Sequence, residues 1–384
     1  MAVETQRLGA AIRSEFPILS HTTYLNSCSQ GALSHRVKEA MEGWLAGWDE
    51  NGAEWEHWVE RAEAARSAFA RLLRAEPSEL AVTTSVTQGV SGIVSALDLG
   101  ARPKIVISEY EFPTIGQIAH AQELRGAEVV HVTPEQDGSI SPERFAEAVD
   151  ERTALVCCTT VSYRTGHRHD VGEIARLAHE QGALCLADSY QAIGAVDFDA
   201  LALGVDFVTG GTVKYLLGTS GLGFLYVRAG LLPKLLPSQT GWFADEDIFR
   251  MDISDYSPAA DARRFDAGTP PVPNIYAGVA GMSIIEEAGT AAIEEHIASL
   301  GARLIDGLEE LGAVVPTPRD PARRGPLVTV RSTDVRRLVD QLAAEKIVCS
   351  ERDSNLRIAL HLYNVEQDVD RLLDALRENR SLLA

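Results

Sequence analysis

Short apolar runs alternate with amphipathic, helix-like stretches through the middle of the chain. Strand-like runs fall at 104–108, 128–132, 154–159 and 183–187, and a helix-like stretch connects each run to the next. Parallel strands need a crossover connection of this kind, so the alternation predicts a mostly parallel sheet with helices on both faces. The expected fold class is therefore α/β.

A long helical stretch is predicted upstream of this region, over 36–75, with a break near Asn51-Gly52. Its large aromatic side chains recur at helical intervals, as expected of a stripe that faces the core. These side chains are Trp44, Trp48, Trp55, Trp58 and Phe69.

The C-terminal part of the chain has a different pattern. After an irregular stretch at 233–273, residues 275–311 are predicted to be helical, and residues 327–383 predict the order strand, helix, strand, strand, helix. That order is typical of a small α+β domain. We therefore predict a large domain over 18–285 and a small domain over 286–384, which the N-terminal segment 1–17 joins.

Composition narrows the classes of partner. The chain has 384 residues, 45% hydrophobic and 23% charged, as in ordinary globular proteins. A formal charge of −20 argues against nucleic acid and against anionic membrane surfaces, because both attract Lys and Arg. No apolar run reaches the roughly 18 residues that span a bilayer, and the amino terminus lacks the apolar region of a signal peptide. No nucleic-acid or membrane partner is expected.

The five cysteines are odd in number and are not spaced like zinc ligands, so no metal site is predicted. Cys157, Cys158 and Cys185 lie inside strand-like runs and are expected to be buried, unreactive thiols. Free thiols are typical of a reducing compartment, and a cytoplasmic location is the simplest expectation.

Two polar side chains stand where buried strands are predicted to end. Asp188 closes the run 183–187, and Lys214 follows the short run 206–208 through Gly210-Gly211-Thr212. Open α/β sheets bind their ligands at the carboxyl ends of the strands. A lysine that forms an imine with an aldehyde cofactor, beside an aspartate that keeps a pyridine nitrogen protonated, is the recurring pair of pyridoxal-phosphate sites.

The same two segments supply further candidates. Lys214 is expected to hold this cofactor and then to act as base and acid at the α-carbon of the substrate. Three residues after Asp188, Gln191 is a candidate donor to the phenolate oxygen of the ring. Thr212 is a candidate phosphate ligand, and the two glycines before it would allow the close backbone approach that a phosphate needs.

A second phosphate-binding element is predicted after the strand-like residues 81–83. Val86, Thr87 and Gln88 open a helix there, and a helix N-terminus offers free N–H groups and a positive dipole end. Ser and Thr are equally ordinary as helix caps, so this signal gains weight only beside Lys214.

Two more residues are candidates for the ring face and the substrate. Phe112 lies just after a strand-like run, where it would stack on a planar cofactor; a core phenylalanine is the alternative. Arg357 lies in a strand-like run of the small domain, where it would hold an α-carboxylate with two parallel hydrogen bonds. An arginine on the surface of an edge strand is the alternative.

Together these residues resemble the class V aminotransferase family, in its cysteine desulfurase and kynureninase branch of fold-type I pyridoxal-phosphate enzymes. The resemblance runs nearly end to end, from Tyr24-Leu25-Asn26-Ser27 through Asp188, Gln191 and Lys214 to Arg357. It implies a large domain with a seven-stranded sheet and a small C-terminal domain. It also implies pyridoxal phosphate as cofactor, a small amino-acid-type substrate, and a homodimer with active sites at the interface.

The resemblance also implies roles for single residues. Thr87 and Thr212 match phosphate ligands, and Thr269 matches the phosphate contact that the second subunit lends. Trp242 matches an interface tryptophan of kynureninases. Arg357 matches the arginine that binds the substrate carboxylate.

Several positions depart from the desulfurase pattern. Tyr163 and Arg164 replace the usual asparagine before the Thr-Gly turn, and Arg164 is a candidate second anion contact. Desulfurases stack a histidine where this chain has Phe112, and carry another before the lysine where it has Val213. The segment that would match their sulfur-accepting loop, 342–344, has no cysteine.

The kynureninase pattern is also incomplete. A tyrosine precedes the lysine in kynureninases, and an aspartate follows Phe-Pro-Thr, where this chain has Val213 and Ile115. Cys349 directly follows a strand-like pair and is interpreted as structural. Neither named activity is therefore supported in full.

The leading hypothesis is a pyridoxal-phosphate enzyme that removes the α-proton of an amino acid or amino-acid conjugate and then expels a β-substituent, with sulfur favoured. This is C–S lyase chemistry without a persulfide cysteine. Transamination, epimerisation and decarboxylating oxidation are alternatives with the same cofactor. A non-catalytic, cofactor-bearing scaffold is the alternative of another class.

Overall fold

Seven strands between residues 80 and 227 form one sheet in the computed structural model, which describes residues 8–135 and 138–384. They are β2 (Leu80–Thr83), β3 (Lys104–Ser108), β4 (Glu128–Val132), β5 (Thr153–Thr159), β6 (Leu184–Asp188), β7 (Phe207–Gly211) and β8 (Gly223–Val227). Their order is β2-β8-β7-β6-β5-β3-β4. β8 runs antiparallel to β2 and β7 on its two sides, and the other four strand pairs are parallel, so the prediction of a mostly parallel sheet is confirmed.

Helices cover both faces of this sheet and make up much of the rest of the chain. They are α1 (His35–Asn51), α2 (Trp55–Leu73), α3 (Val86–Ser95), α4 (Pro113–Ala121), α5 (Pro142–Ala148), α6 (Val171–Glu180), α7 (Ala200–Leu203), α8 (Val272–Ala288), α9 (Thr290–Glu310), α10 (Val335–Ala344) and α11 (Glu366–Glu378). Within the described residues, every helix is too short or too polar to cross a lipid bilayer.

The break between α1 and α2 at Gly52 is confirmed, but the predicted core-facing tryptophan stripe is wrong. Phe69 is buried and stacks on Phe224 at 4.2 Å between ring centroids, whereas Trp48 is 59% exposed and Trp55 is 38% exposed. α2 instead buries its small and aliphatic side chains, which are concentrated in its second half. Helical spacing alone does not distinguish an aromatic stripe on the surface from one in the core.

The helical stretch predicted over 275–311 is two helices. Gly289 separates α8 from α9 with a φ of +80°, a backbone conformation that suits glycine. The proposed domain boundary at 285/286 falls in the last turn of α8, and we keep it as a proposal.

The small domain contains a three-stranded antiparallel sheet in the order β11-β12-β9. Its strands are β9 (Leu327–Arg331), β11 (Ser350–Arg352) and β12 (Asn355–Ala359), while β1 (Thr23–Tyr24) pairs in parallel with β10 (Ile347–Val348). The N-terminal segment packs on this part of the chain. The Phe16 ring lies 4.7 Å from that of Tyr363, and Arg13 forms an ion pair of 2.8 Å with Asp368.

The predicted burial of three cysteines is confirmed. Cys157, Cys158 and Cys185 are buried in β5 and β6. Burial raises the pKa of the Cys157 thiol well above its ordinary value, which keeps it protonated and unreactive. The described residues contain no cluster of three or more His, Cys, Asp or Glu side chains arranged to hold a metal ion.

Candidate active site

A cavity of about 250 Å³ lies at the carboxyl end of the large sheet, in front of the first turn of α3. Eleven residues line it: Ser85, Val86, Thr87, Phe112, Thr114, Thr159, Tyr163, Asp188, Tyr190, Gln191 and Lys214. Six segments of the chain supply these residues, so the cavity exists only in the folded protein. Val86, Thr87, Phe112, Tyr163, Asp188, Gln191 and Lys214 are among the residues predicted from the sequence, and the fold brings them together.

Asp188 is the last residue of β6 and lies beside Thr159 of β5 in the parallel register. Its side chain is buried, and its Oδ1 atom accepts a hydrogen bond of 3.1 Å from the Tyr190 N–H group. Burial raises the pKa of the Asp188 carboxyl, while that N–H group and the Lys214 charge oppose the rise. The cavity thus contains a carboxylate held in place on its floor.

Lys214 lies in the turn after β7 and extends between two aromatic rings. Its Nζ atom is 4.5 Å from the centroid of the Tyr190 ring and 5.7 Å from that of Phe112. Burial lowers the pKa of the Lys214 amine to about 8, with Asp188 raising it and Arg357 lowering it. The neutral, nucleophilic form is therefore populated far more than in an exposed lysine.

Gln191 presents an unpaired polar atom to the cavity. The side chain is buried, and its Nε2 atom donates a hydrogen bond of 3.1 Å to the Cys28 carbonyl oxygen. Its Oε1 atom is buried without a partner among the described residues. Because buried polar atoms are nearly always hydrogen-bonded, a ligand or a water molecule is expected beside it.

The first turn of α3 forms one end of the cavity. The Ser85 Oγ atom accepts a hydrogen bond of 3.2 Å from the Gln88 N–H group, which leaves the first-turn N–H groups of Val86 and Thr87 for a ligand. The side chain of Gln88 turns away, because its Oε1 atom accepts hydrogen bonds from the Thr84 N–H and hydroxyl groups. Val86 and Thr87 are thus placed to bind an anion, whereas the Gln88 side chain is not.

Thr212 does not line the cavity. It is fully buried, and its hydroxyl group donates a hydrogen bond of 2.8 Å to the Thr219 carbonyl oxygen. Gly210 and Gly211, which precede it, were predicted to let the backbone approach a phosphate, but the structure gives them a different role. A Cβ atom on Gly211 would lie 2.5 Å from the Tyr190 hydroxyl oxygen, and one on Gly210 would lie 3.1 Å from the Phe69 ring. These glycines make room for protein side chains.

We expect Gly211→Ala to destabilise the protein by about 1–3 kcal/mol, the usual cost of overpacking, because the Tyr190 ring has to move. Moving this ring also displaces the surface on which Lys214 lies, so turnover falls as well. Chemical denaturation monitored by circular dichroism measures the first effect. Gly230→Ala is the matched control, because a Cβ atom there meets nothing within 4 Å. Equal unfolding midpoints for the two variants would contradict the packing role.

Arg357 lies in β12, next to the cavity, and its guanidinium is buried without an acidic partner among the described residues. It donates hydrogen bonds to the Ser29 hydroxyl at 3.1 Å, the Ser350 hydroxyl at 3.0 Å and the Tyr163 carbonyl oxygen at 3.0 Å. Its charge lowers the pKa of Lys214. A buried cation held only by neutral groups is a site for an incoming anion.

Tyr163 and Arg164 have different surroundings. The Tyr163 ring lines the cavity and meets Phe112 edge to face, with 5.3 Å between ring centroids. Arg164 instead forms an ion pair with Asp353 of the small domain and donates to the Glu109 carbonyl oxygen. Its charge is already matched, so the structure does not place it as a free anion contact.

Trp242 and Thr269 lie outside the cavity of this chain. Trp242 is half-buried against Trp55, with 5.7 Å between ring centroids, and Thr269 is exposed. The roles that the resemblance gives them require a second subunit. The homodimer, with these contacts, stays a prediction.

Four residues carry sequence signals that the predicted set of site residues leaves out: three line the cavity, and the fourth precedes a residue that does. Thr159 ends a strand-like run as Asp188 does, Thr114 follows Phe112 by two residues, and Tyr190 follows Asp188 by two residues. The fourth, Glu111, precedes Phe112 and is buried, with its Oε1 atom accepting a hydrogen bond of 2.9 Å from Ser108. Burial raises the pKa of Glu111 to about 8, and the charge of Asp188 acts in the same direction.

A model of the family described as Aminotransferase class-V matches residues 23–372, a range that contains every residue lining the cavity. The chain belongs to this family. It is therefore a pyridoxal-phosphate-dependent enzyme, and the resemblance drawn from the sequence is confirmed.

The similar proteins within this family carry the names of different enzymes. The chain is 31% identical to an uncharacterized aminotransferase of Bacillus subtilis, over 96% of this chain and 97% of that protein. It is 27% identical to a kynureninase of Pseudomonas fluorescens, over 93% and 88% of the two chains. Among solved structures, it is similar to a cysteine desulfurase of Thermococcus onnurineus, with a TM-score of 0.87, 21% identity, and 96% and 97% of the two chains covered. At that identity the likeness shows the fold alone, and it confirms the predicted fold class.

The side chains of the cavity fit pyridoxal phosphate. Lys214 offers an amine with a lowered pKa, and Asp188 offers a buried carboxylate. The predicted donation from Gln191 to the phenolate oxygen is not seen in this orientation of the amide, because its Nε2 atom donates to the Cys28 carbonyl oxygen and its Oε1 atom is an acceptor. The open N–H groups at the start of α3 suit the phosphate, and Phe112 offers a ring face.

Proposed function

We propose that this enzyme removes the α-proton of an amino acid and then cleaves a C–S bond at the β-carbon. The observation that supports it most is the buried Arg357 guanidinium, which is bound to the carbonyl oxygen of Tyr163 in the cavity wall and has no acidic partner among the described residues. An α-amino acid brings the carboxylate that this cation lacks. The proposal makes Arg357 the residue that selects and orients the substrate.

The side chains of the cavity then have separate tasks. Pyridoxal phosphate, when bound, supplies the electron sink for the charge left on the α-carbon. Lys214 takes the α-proton with its amine, and Asp188 holds its carboxylate where a protonated ring nitrogen needs an anion. Val86 and Thr87 would bind the phosphate through their N–H groups, and Phe112 would cover the ring.

The burial of all five cysteines favours a lyase over a sulfur-transferring enzyme. A cysteine that accepts sulfur and passes it on must be accessible as a thiolate. Cys349 is the cysteine that most closely precedes Arg357 in the chain, as a sulfur-accepting cysteine would. Burial raises the pKa of its thiol, which keeps it protonated. The proposed products are therefore the free thiol, ammonia and pyruvate.

Product analysis with S-methylcysteine and cystine tests this reaction. We expect pyruvate and the sulfur product to form in equal amounts, without added acceptor. Pyruvate is measured with a coupled dehydrogenase and the sulfur product with a thiol reagent. Absence of pyruvate with every S-substituted cysteine would exclude the β-elimination.

Transamination is the second candidate, because the Bacillus subtilis relative that shares 31% identity carries the name of an aminotransferase. The product assay described above distinguishes transamination from β-elimination. A transaminase keeps the C–S bond intact, needs a 2-oxo acid as acceptor, and converts it to an amino acid. Turnover that depends on the acceptor would move the assignment to this reaction.

The Lys214 amine predicts a pH dependence for cofactor loading. Only the neutral amine attacks an aldehyde, so the loading rate of cofactor-free enzyme rises with pH and levels off above a midpoint near 8, the lowered pKa. An unperturbed lysine would titrate near 10.5. Stopped-flow absorbance measures the rate, with N-acetyl-lysine as a parallel control for the titration of the cofactor itself. Asp188→Asn should lower the midpoint, because Asp188 favours the charged amine; a rate that keeps rising far above pH 8 would contradict this account.

A further inference from the structure

Two histidines meet on the surface of the large domain, at one edge of its sheet. His120 lies in the last turn of α4, and His131 lies in β4, the last strand in the order of the sheet. Their Nε2 atoms are 2.9 Å apart, and both residues are exposed. We call these two residues the histidine pair. Neither of them lines the Lys214 cavity.

A carboxylate fixes the orientation of one of the two rings. The Nδ1 atom of His120 lies 3.1 Å from a carboxylate oxygen of Glu123. Because a carboxylate only accepts hydrogen bonds, the neutral His120 ring carries its proton on Nδ1, and its Nε2 atom keeps a lone pair directed at His131. Histidines that bind metals are held in this way, since a carboxylate on the second ring nitrogen orients the ring and makes the ligand more basic.

The spacing of the histidine pair is close to that of two ligands on one metal ion. Zn²⁺ binds imidazole nitrogens at about 2.0–2.1 Å, so two such nitrogens at a tetrahedral angle lie about 3.3–3.4 Å apart. The two Nε2 atoms are 2.9 Å apart, and small rotations of these exposed side chains supply the difference. The proton between the two Nε2 atoms moves to the Nδ1 atom of His131, which leaves two lone pairs for the metal.

The backbone and the charge of the protein favour such a site. β4 pairs with β3 over its whole length, and residues 122–127 connect α4 to β4, so both ligands lie on or beside regular structure. The formal net charge of −20 attracts cations to the surface. The histidine pair has two protein ligands, which agrees with the absence of a three-residue metal cluster among the described residues.

We propose that the histidine pair is a surface site for a divalent transition-metal ion, with water completing the coordination. Imidazole ligands favour Zn²⁺, Cu²⁺ and Ni²⁺, whereas Mg²⁺ and Ca²⁺ prefer oxygen ligands. A bound ion joins the end of α4 to the edge strand of the sheet, and it therefore stabilises the folded protein. This site is independent of the reaction proposed for the Lys214 cavity.

Calorimetric titration of the tag-free holoenzyme with Zn²⁺ tests the site. We expect His120→Gln and His131→Gln each to weaken binding about tenfold or more, because even the loss of an outer partner of a metal ligand costs about 10–100-fold in affinity. His35→Gln is the matched control, because His35 is an exposed histidine at the start of α1. This control should bind Zn²⁺ as the wild type does.

The double variant, His120→Gln with His131→Gln, separates this site from any other on the protein. Thermal unfolding gives a second readout: Zn²⁺ should raise the melting temperature of the wild type more than that of the double variant. Equal Zn²⁺ affinity and stoichiometry in the wild type and the double variant would overturn the proposal. Displacement of the bound Zn²⁺ by equimolar Mg²⁺ would also overturn it, since Mg²⁺ competes poorly for imidazole.

Discussion

Replacing Lys214 by alanine is expected to abolish turnover and the yellow absorbance of the bound cofactor, while the protein stays folded. Lys214 is the one lysine among the residues that line the cavity, and no other amine there takes its place as nucleophile or base. Loss of a general base alone costs about 10²–10⁴ in rate, and loss of the covalent attachment adds to this. Steady-state turnover and an absorbance scan measure the two effects.

The fold is expected to survive because burial already disfavours the ammonium form of Lys214. The melting temperature of the cofactor-free variant should therefore match or exceed that of the cofactor-free wild type. Lys234→Ala is the control, because Lys234 is an exposed lysine and should be replaceable without effect. Undiminished turnover by Lys214→Ala would remove the proposed role of this residue.

Replacing Arg357 by glutamine is expected to cost about 2–4 kcal/mol in kcat/KM for an amino-acid substrate, because the substrate carboxylate loses its charged partner. The glutamine amide still reaches toward the neighbouring hydroxyl groups of Ser29 and Ser350, so the strand should stay in place. Kinetics with the amino acid and with its carboxamide separate the effects: the variant should lose the preference for the acid.

Arg164→Gln is the matched control for this measurement. Its guanidinium is paired with Asp353 and exposed in part, and such a pair contributes about 1 kcal/mol or less. We expect a small change in kcat/KM. If Arg357→Gln left both kcat and KM unaltered, the carboxylate would have to be bound by another group.

The sequence predicts those residues of the site whose position depends only on their place directly after a strand. Asp188 and Lys214 come directly after two strands, and the carboxyl ends of parallel strands meet at one edge of a sheet. Thr159 and Phe112 obey the same rule. Register aligns Thr159 with Asp188, so the floor of the cavity follows almost entirely from the order of strands and loops.

The parts that depend on packing could not be predicted. The sequence does not show that Tyr190 lies over Gly211, and its pattern predicts a phosphate beside this glycine instead. The surroundings of Arg357 come from Ser29, Tyr163 and Ser350, which are far apart in the chain.

Spacing likewise gave no sign of which side of a helix faces solvent. The tryptophans of α1 and α2 recur as core residues do, yet Trp48 and Trp55 are largely exposed. Contacts of this kind are properties of the folded chain rather than of any local pattern.

One measurement tests the central claim most directly: reduction of the holoenzyme with borohydride, followed by peptide mass spectrometry to locate the pyridoxyl group. The chain has five lysines, Lys38, Lys104, Lys214, Lys234 and Lys346, so the assignment is unambiguous. The account predicts modification of the peptide that carries Lys214, at near-complete occupancy. A pyridoxyl group on any other lysine, or none after incubation with excess cofactor, would contradict it.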